Sequence, residues 1–291
     1  APDAYHWSYA ESEGIRFQGH AMFQGENRSG GARMSYTLQR DTADKELKKV
    51  KWLRVDVYDP SGTRIRRIET KVPTENGLQR WNWNLRSAGV DRPSMSRSKR
   101  ENANEPGYGP EVKPGRYSLV YTLGSHSDTA HVTVQDDPRA PARDWAAQHA
   151  FEADVNGQMA QLDSAVSLLR EAKKRLELLD KLVAANEDTA ATKQLRADIK
   201  AQLKSIEDRR MALFGKEDVK GYFEQPETWE WKYGQFSGHF WSLRGAPSPN
   251  MLNAWKAADA ATRAELTALS TWQREVWKPF TEKYAQIPGG L

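Results

Sequence analysis

Six histidines and 39 carboxylates are the side chains that could do acid–base or metal chemistry in this chain. The histidines are His6, His20, His126, His131, His149 and His239, and none stands in a ligand pattern such as H-E-x-x-H. His126, Asp128 and His131 lie close together, but a turn running into a strand makes them surface residues before it makes them ligands. There is no glycine-rich phosphate loop and no G-x-S-x-G elbow. A glycosidase pair of carboxylates is compatible with the count, yet no spacing singles one out. Cysteine is absent, which removes disulfides and thiolate chemistry. The reading is of a chain with no catalytic residue, no cofactor and no metal site of its own.

Residues that could bind rather than react are easier to name. Arg92, Arg97, Lys99 and Arg100 form a basic cluster in a stretch, 87–113, rich in Ser, Pro, Gly and Asn. Loops this long are functional or solvated, so the cluster reads first as a solvated loop and second as a contact surface. Eleven tryptophans are many for 291 residues. Trp81 and Trp83 could stack on a sugar, but alternation with Leu85 places them in a core. Trp229, Trp255 and Trp277 belong to apolar helical stripes, with a partner-binding groove as the second reading.

The elements that must position these residues fall in two blocks. Residues 1–18 show no period and read as a lead-in segment. Residues 19–138 alternate with period two and carry turn punctuation, which predicts about seven short strands in an immunoglobulin- or fibronectin-III-like β-sandwich. Met34, Tyr36 and Leu38 share one face, and Asp59-Pro60-Ser61-Gly62 turns one strand into the next. The period changes to 3.6 after Asp136-Asp137-Pro138-Arg139. Residues 139–291 then predict an antiparallel helical bundle: a long hairpin over 143–214, a helix over 227–243 and a helix over 249–286. Asp188 or Thr189 caps the second arm, and Ser248-Pro249 starts the last helix. Pro279 should kink or break that helix. Gly234 and Gly238, four apart, read as places where another backbone packs closely.

A net charge of +4, with basic residues scattered among acidic ones, gives no footprint for nucleic acid or an anionic membrane. No apolar run approaches the ~20 residues of a membrane span. No charged start runs into an apolar stretch, so no signal peptide is expected; Ala1 reads as the start of a mature chain, a crop or a fragment. Asn27-Arg28-Ser29 fits the N-glycosylation pattern. Asp-Thr-Ala or Asp-Ser-Ala at Asp41, Asp128, Asp163 and Asp188 is similar to a short O-glycosylation signal of some bacterial envelope proteins.

The ordered pieces resemble the C-terminal region of bacterial sortilin-like or BNR-repeat "glycosyl hydrolase" proteins. They are Gly25-Glu26-Asn27 with Tyr36-Thr37-Leu38, Val57-Tyr58-Asp59, Trp83-Asn84-Leu85-Arg86, Pro114-Gly115-Arg116-Tyr117 and Asp137-Pro138-Arg139. In that family a β-propeller comes first, an immunoglobulin-like domain follows and helices end the chain. Asn84 stands where the family commonly has Asp, and the propeller is absent. The resemblance implies a non-catalytic scaffold portion of a secreted or periplasmic protein of the Gram-negative envelope. It would pack on the propeller portion or another envelope protein, with a glycan as a further partner. The alternatives are an accessory part of a glycoside hydrolase or peptidase site, and a carbohydrate-binding module. The family's hydrolase name rests on fold analogy and transfers no catalytic residue.

Overall fold

The computed structural model describes residues 2–7, 30–39, 47, 49–97, 104–185, 189–217 and 224–286. The chain is a mixed β region followed by helices, in two compact units. One unit is Ala1–Val90 with Lys99–Arg143; the other is Asp91–Ser98 with Asp144–Leu291. The stretch 91–98 therefore belongs with the helices, although it lies inside the sequence of the β unit.

The β unit holds β1 (Ala4–His6), β2 (Ala32–Leu38), β3 (Trp52–Tyr58), β4 (Arg64–Lys71), β5 (Gly77–Trp83), β6 (Gly115–Leu123) and β7 (His126–Asp136). Five of them pair in the order β1-β7-β6-β3-β4, and β2 pairs with β5. All pairings are antiparallel except β1 on β7. Alternation sends one set of side chains inward along β2 and β5, as the sequence predicts, whereas the edge strand β4 buries none of its residues fully. Met34 and Trp83 from the small sheet and Val55, Val57, Leu119 and Val132 from the large one share a single apolar core.

Three features add to the sequence reading. The lead-in segment contains β1, whose His6 Nε2 pairs with the Val112 carbonyl at 2.8 Å and whose neighbour Asp3 accepts from Gln135. The strand carrying Trp81 and Trp83 ends at Trp83, and Leu85 is buried with φ +56°, a left-handed conformation that L residues rarely adopt. The described parts of 87–113 are ordered rather than loose. Residues 85–89 run against 105–112 through Val112 N–H to Leu85 O, Ser87 N–H to Pro110 O and Gly89 N–H to Pro106 O. Gly109 lies so close to the Ala88 and Ser87 carbonyls that no Cβ fits there.

This double strip also covers the outer edge of β4. Ala88 donates to the Ile65 carbonyl and Glu105 N–H to the Arg67 carbonyl. The Asn104 amide pairs with both backbone groups of Glu69, and the Glu105 carboxylate accepts from Arg67 N–H. An exposed strand edge invites pairing with another chain, and here side chains and loop backbone satisfy it.

The helical unit holds α1 (Trp145–Ala184), α2 (Ala190–Phe214), α3 (Trp229–Phe240) and α4 (Pro249–Trp272), then a π-helical turn (Gln273–Trp277) and α5 (Lys278–Lys283). At 40 residues α1 is about 60 Å long. Its buried stripe is Val155, Met159, Leu162, Val166, Leu169, Leu176, Leu179 and Val183, at the spacing read from the sequence. The starts are capped as the local chemistry demands. Asp144 accepts from Ala147 N–H, Thr189 forms a reciprocal cap with Thr192, Thr228 accepts from Trp231 N–H and Ser248 precedes Pro249. Asp188 lies outside the described residues.

Pro279 acts as expected, by a specific route. It has no N–H to donate, and just before it the ladder slips so that Lys278 N–H reaches the Gln273 carbonyl, five residues back. Gly234 and Gly238 act otherwise than expected: a Cβ at either would meet nothing within 4 Å. They face open space and only weaken α3. Gly234→Ala and Gly238→Ala should each raise stability by about 0.5–1 kcal/mol in urea unfolding, and a loss would show that a backbone approaches there after all.

Lys283 and Tyr284 fasten to α2. Asp198 accepts from Lys283 Nζ at 2.6 Å, from the Tyr284 hydroxyl and from Gln194 Nε2. The Lys283 bond, then the Tyr284 bond, hold the Asp198 carboxyl at about 2, below its ordinary 3.8. Its contribution is complete above pH about 4 and is lost as pH falls toward 2. Thermal melts of wild type and Asp198→Asn should therefore differ at pH 5 and converge near pH 2; a constant gap would refute this role.

Candidate functional site

The basic loop residues come first. Arg97 places its fork on Asp163 of α1, with Nη2–Oδ1 at 2.6 Å and Nη1–Oδ2 at 3.1 Å, and also lies 3.4 Å from Asp91. The Asp163 hydrogen bond holds the Arg97 guanidinium above its usual range. Arg170 of α1 donates to the Ser94 carbonyl, and Arg92 sits over the Trp241 ring at 5.8 Å. The Arg97 and Arg170 contacts anchor the described part of 91–98 to α1, and Arg92 adds a contact to Trp241 just after α3. Arg92 remains exposed, whereas Arg97 is engaged within the chain. Lys99 and Arg100 lie outside the described residues.

The three tryptophans are buried. Trp229 is 5% exposed and donates its indole N–H to Thr262 Oγ1. Trp255 is 8% exposed and meets Phe236 and Phe151 at 4.8 and 6.0 Å between ring centres. Trp277, also 8% exposed, stacks between Trp272 and Phe280. Their first role is the helical core. Trp277 also borders a groove of about 370 Å³, beside Gln273, Arg274 and Lys278. Trp83 is fully buried, and Trp81 is half-buried with its indole N–H on the Tyr121 hydroxyl, so neither presents a flat face to a sugar.

Buried carboxylates in the β unit are each met by arginines. Asp56 lies among Arg54, Arg64 and Arg67. Glu111 accepts from Arg86 at 3.1 Å and Arg143 at 2.7 Å, with His6 Nδ1 at 3.9 Å. Burial pushes the His6 imidazole below its ordinary range. Asp137 grips Arg139 through both oxygens. A guanidinium fork holds a carboxylate in place through charge-assisted hydrogen bonds, which suits structure better than proton transfer. Among the described residues no group of three or more His, Asp or Glu could hold a metal ion.

Of the glycosylation patterns, Asp163 is the Arg97 partner on α1, while Asp128-Thr129 lies exposed on β7. Asp41, Asp188 and Asn27 lie outside the described residues.

Two surfaces were not marked in the sequence. On α1, Leu178 and Leu182 are 60% and 52% exposed, one turn apart and off the buried stripe. In the β unit a cleft of about 830 Å³ opens beside Tyr36, Leu38, Leu53, Leu78, Tyr121 and Leu123. Leucines off an amphipathic stripe are visible in a helical wheel, but how far each is exposed is a property of the fold. No helix of the described residues is long and apolar enough to cross a membrane. Comparison with protein-family models, curated proteins and solved structures finds no match for this chain.

Proposed function

We propose that this chain is a non-catalytic interaction portion of a larger secreted or periplasmic protein of the Gram-negative envelope. In this reading the β unit is an immunoglobulin-like sandwich and the helices form a bundle with a projecting hairpin. Together they hold a preceding β-propeller portion, or another envelope protein, in position. The observation that carries the proposal is the Leu178–Leu182 face. Two large apolar side chains, 60% and 52% exposed on one face of a long helix, suit a partner surface, because burial against a partner would stabilise each by ~1.5–3 kcal/mol. Internal anchoring of Arg97, and of Trp229, Trp255 and Trp277, supports a stiff scaffold behind that face.

The test is purification from the source envelope followed by native mass measurement, for wild type and for the Leu178→Lys/Leu182→Lys double variant. Both positions are exposed, so the variant should melt as wild type does, within ~0.5 kcal/mol per site. Wild type should carry a stoichiometric partner and the variant should lose it. A wild-type chain that runs alone, or a variant that keeps the partner, would overturn the proposal.

A further inference from the structure

Three strands of the large sheet place Tyr58, Ser118 and His131 in one cross-strand row. Tyr58 faces Ser118 in the β3–β6 register, and Ser118 faces His131 in the β6–β7 register. Strand alternation turns these three, with Arg116 and Val120, away from the core residues Val57, Tyr117, Leu119 and Val132. Ser118 Oγ and His131 Nδ1 are 3.0 Å apart, which fixes the imidazole and leaves Nε2 on the side away from Ser118. The row borders an open depression of about 550 Å³, walled by the Asp59–Gly62 turn.

That wall is stiff. Asp59 Oδ1 accepts from the N–H groups of Ser61 and Thr63 and from the Ser61 hydroxyl, so its charge is turned into the turn. The same bonds, that of the Ser61 hydroxyl foremost, hold its carboxyl below the ordinary range. Arg116 stands in contrast to its neighbours. Arg64 and Arg67 are paired with Asp56, whereas Arg116 is exposed and has no hydrogen bond or ion pair among the described residues. An open guanidinium, a phenol ring and a fixed imidazole–hydroxyl pair thus converge on one depression.

We propose that this face binds an acidic sugar. The Arg116 fork takes the sugar's carboxylate, because a planar two-pronged donor matches that group. Tyr58 gives an aromatic wall for the ring, and Ser118 with His131 exchanges hydrogen bonds with its hydroxyls. The spread of the groups favours a sugar over a bare ion, because Tyr58, Ser118 and His131 lie in a row across three strands and Arg116 stands beside them. The lining is mixed, with Tyr58, Pro60 and Val120 beside Arg116, Ser118 and His131, which suits a ligand with both ring faces and polar groups. This site is separate from the leucine face of α1 and does not depend on it.

The experiment is calorimetric titration of the purified chain with an oligogalacturonide, a neutral oligosaccharide of equal length and inorganic phosphate. The oligogalacturonide should bind saturably and the neutral sugar at least about tenfold more weakly. Arg116→Gln and Tyr58→Ala should each weaken oligogalacturonide binding by about tenfold or more, while Thr37→Ala, exposed on β2 in the other sheet, should leave it unchanged. Melting curves confirm that the variants fold. Absence of saturable oligogalacturonide binding, equal binding of the neutral sugar, phosphate binding as tight as that of the acid sugar, or insensitivity to Arg116→Gln would each overturn the proposal.

Discussion

Replacing Glu111 with glutamine should destabilise the chain by about 3–5 kcal/mol, a large fraction of the stability of an ordinary domain. Glu111 is 9% exposed and receives Arg86 on one oxygen and Arg143 on the other. The Arg143 side chain is itself 8% exposed. An amide of the same shape cannot neutralise either guanidinium, so the buried Arg143 stays desolvated without its counter-charge while Arg86 is 22% exposed. The loss spreads because of where the carboxylate sits. Glu111 bridges Arg86 in the backbone, Arg86 also donates to the Gly109 carbonyl, and His6 of β1 bonds the next carbonyl, that of Val112. Urea unfolding should show a lower midpoint with an unchanged slope. A second variant separates the charge effect from shape. Glu111→Gln combined with Arg143→Met removes the buried cation as well and should recover part of the loss. A single variant within 1 kcal/mol of wild type would show that water reaches the site and that the network is weak.

That network was invisible in the sequence, and the reason is separation. The Arg86–Glu111 and Glu111–Arg143 contacts span a long loop and the approach to α1, and neither spacing belongs to a periodic pattern. The Arg97–Asp163 clamp joins residues 66 apart, and the Asn104–Glu69 edge cap joins residues 35 apart. What could be read was local. Ser248-Pro249 announces a helix start because both residues act on the backbone beside them. The α1 stripe is legible because a helix buries every third or fourth residue over 40 positions. The order of β region and then helices follows from the change of period alone. Spacing also misled. Gly234 and Gly238 have the right separation for close packing, yet nothing approaches them. Leu85 looked like the next inward residue of a strand, and is inward, but through a left-handed turn that its side chain does not advertise. Of the residues first singled out for binding, Arg97 serves the internal clamp and the three tryptophans lie in the helical core; Arg92 remains exposed beside Trp241.

Trp255 makes that distinction measurable. Trp255→Ala should cost about 3–5 kcal/mol, because a large indole leaves a cavity that its neighbours can close only in part. Phe236 is fully buried against it, Phe151 meets it edge to face, and Val155, Met251 and Ala258 complete the cluster. These side chains come from α1, α3 and α4, so the gap loosens three helices at once. Loss of a partner in this variant would follow from unfolding and would be reversed by conditions that restore the fold. The Leu178→Lys/Leu182→Lys variant should behave in the opposite way, with stability kept and the partner lost. If Trp255→Ala instead melts as wild type does while shedding a partner, the indole is a contact residue and the helical core must be drawn without it. A stability loss with no such selectivity fixes Trp255 as the part that holds α1, α3 and α4 together, behind whatever surface they present.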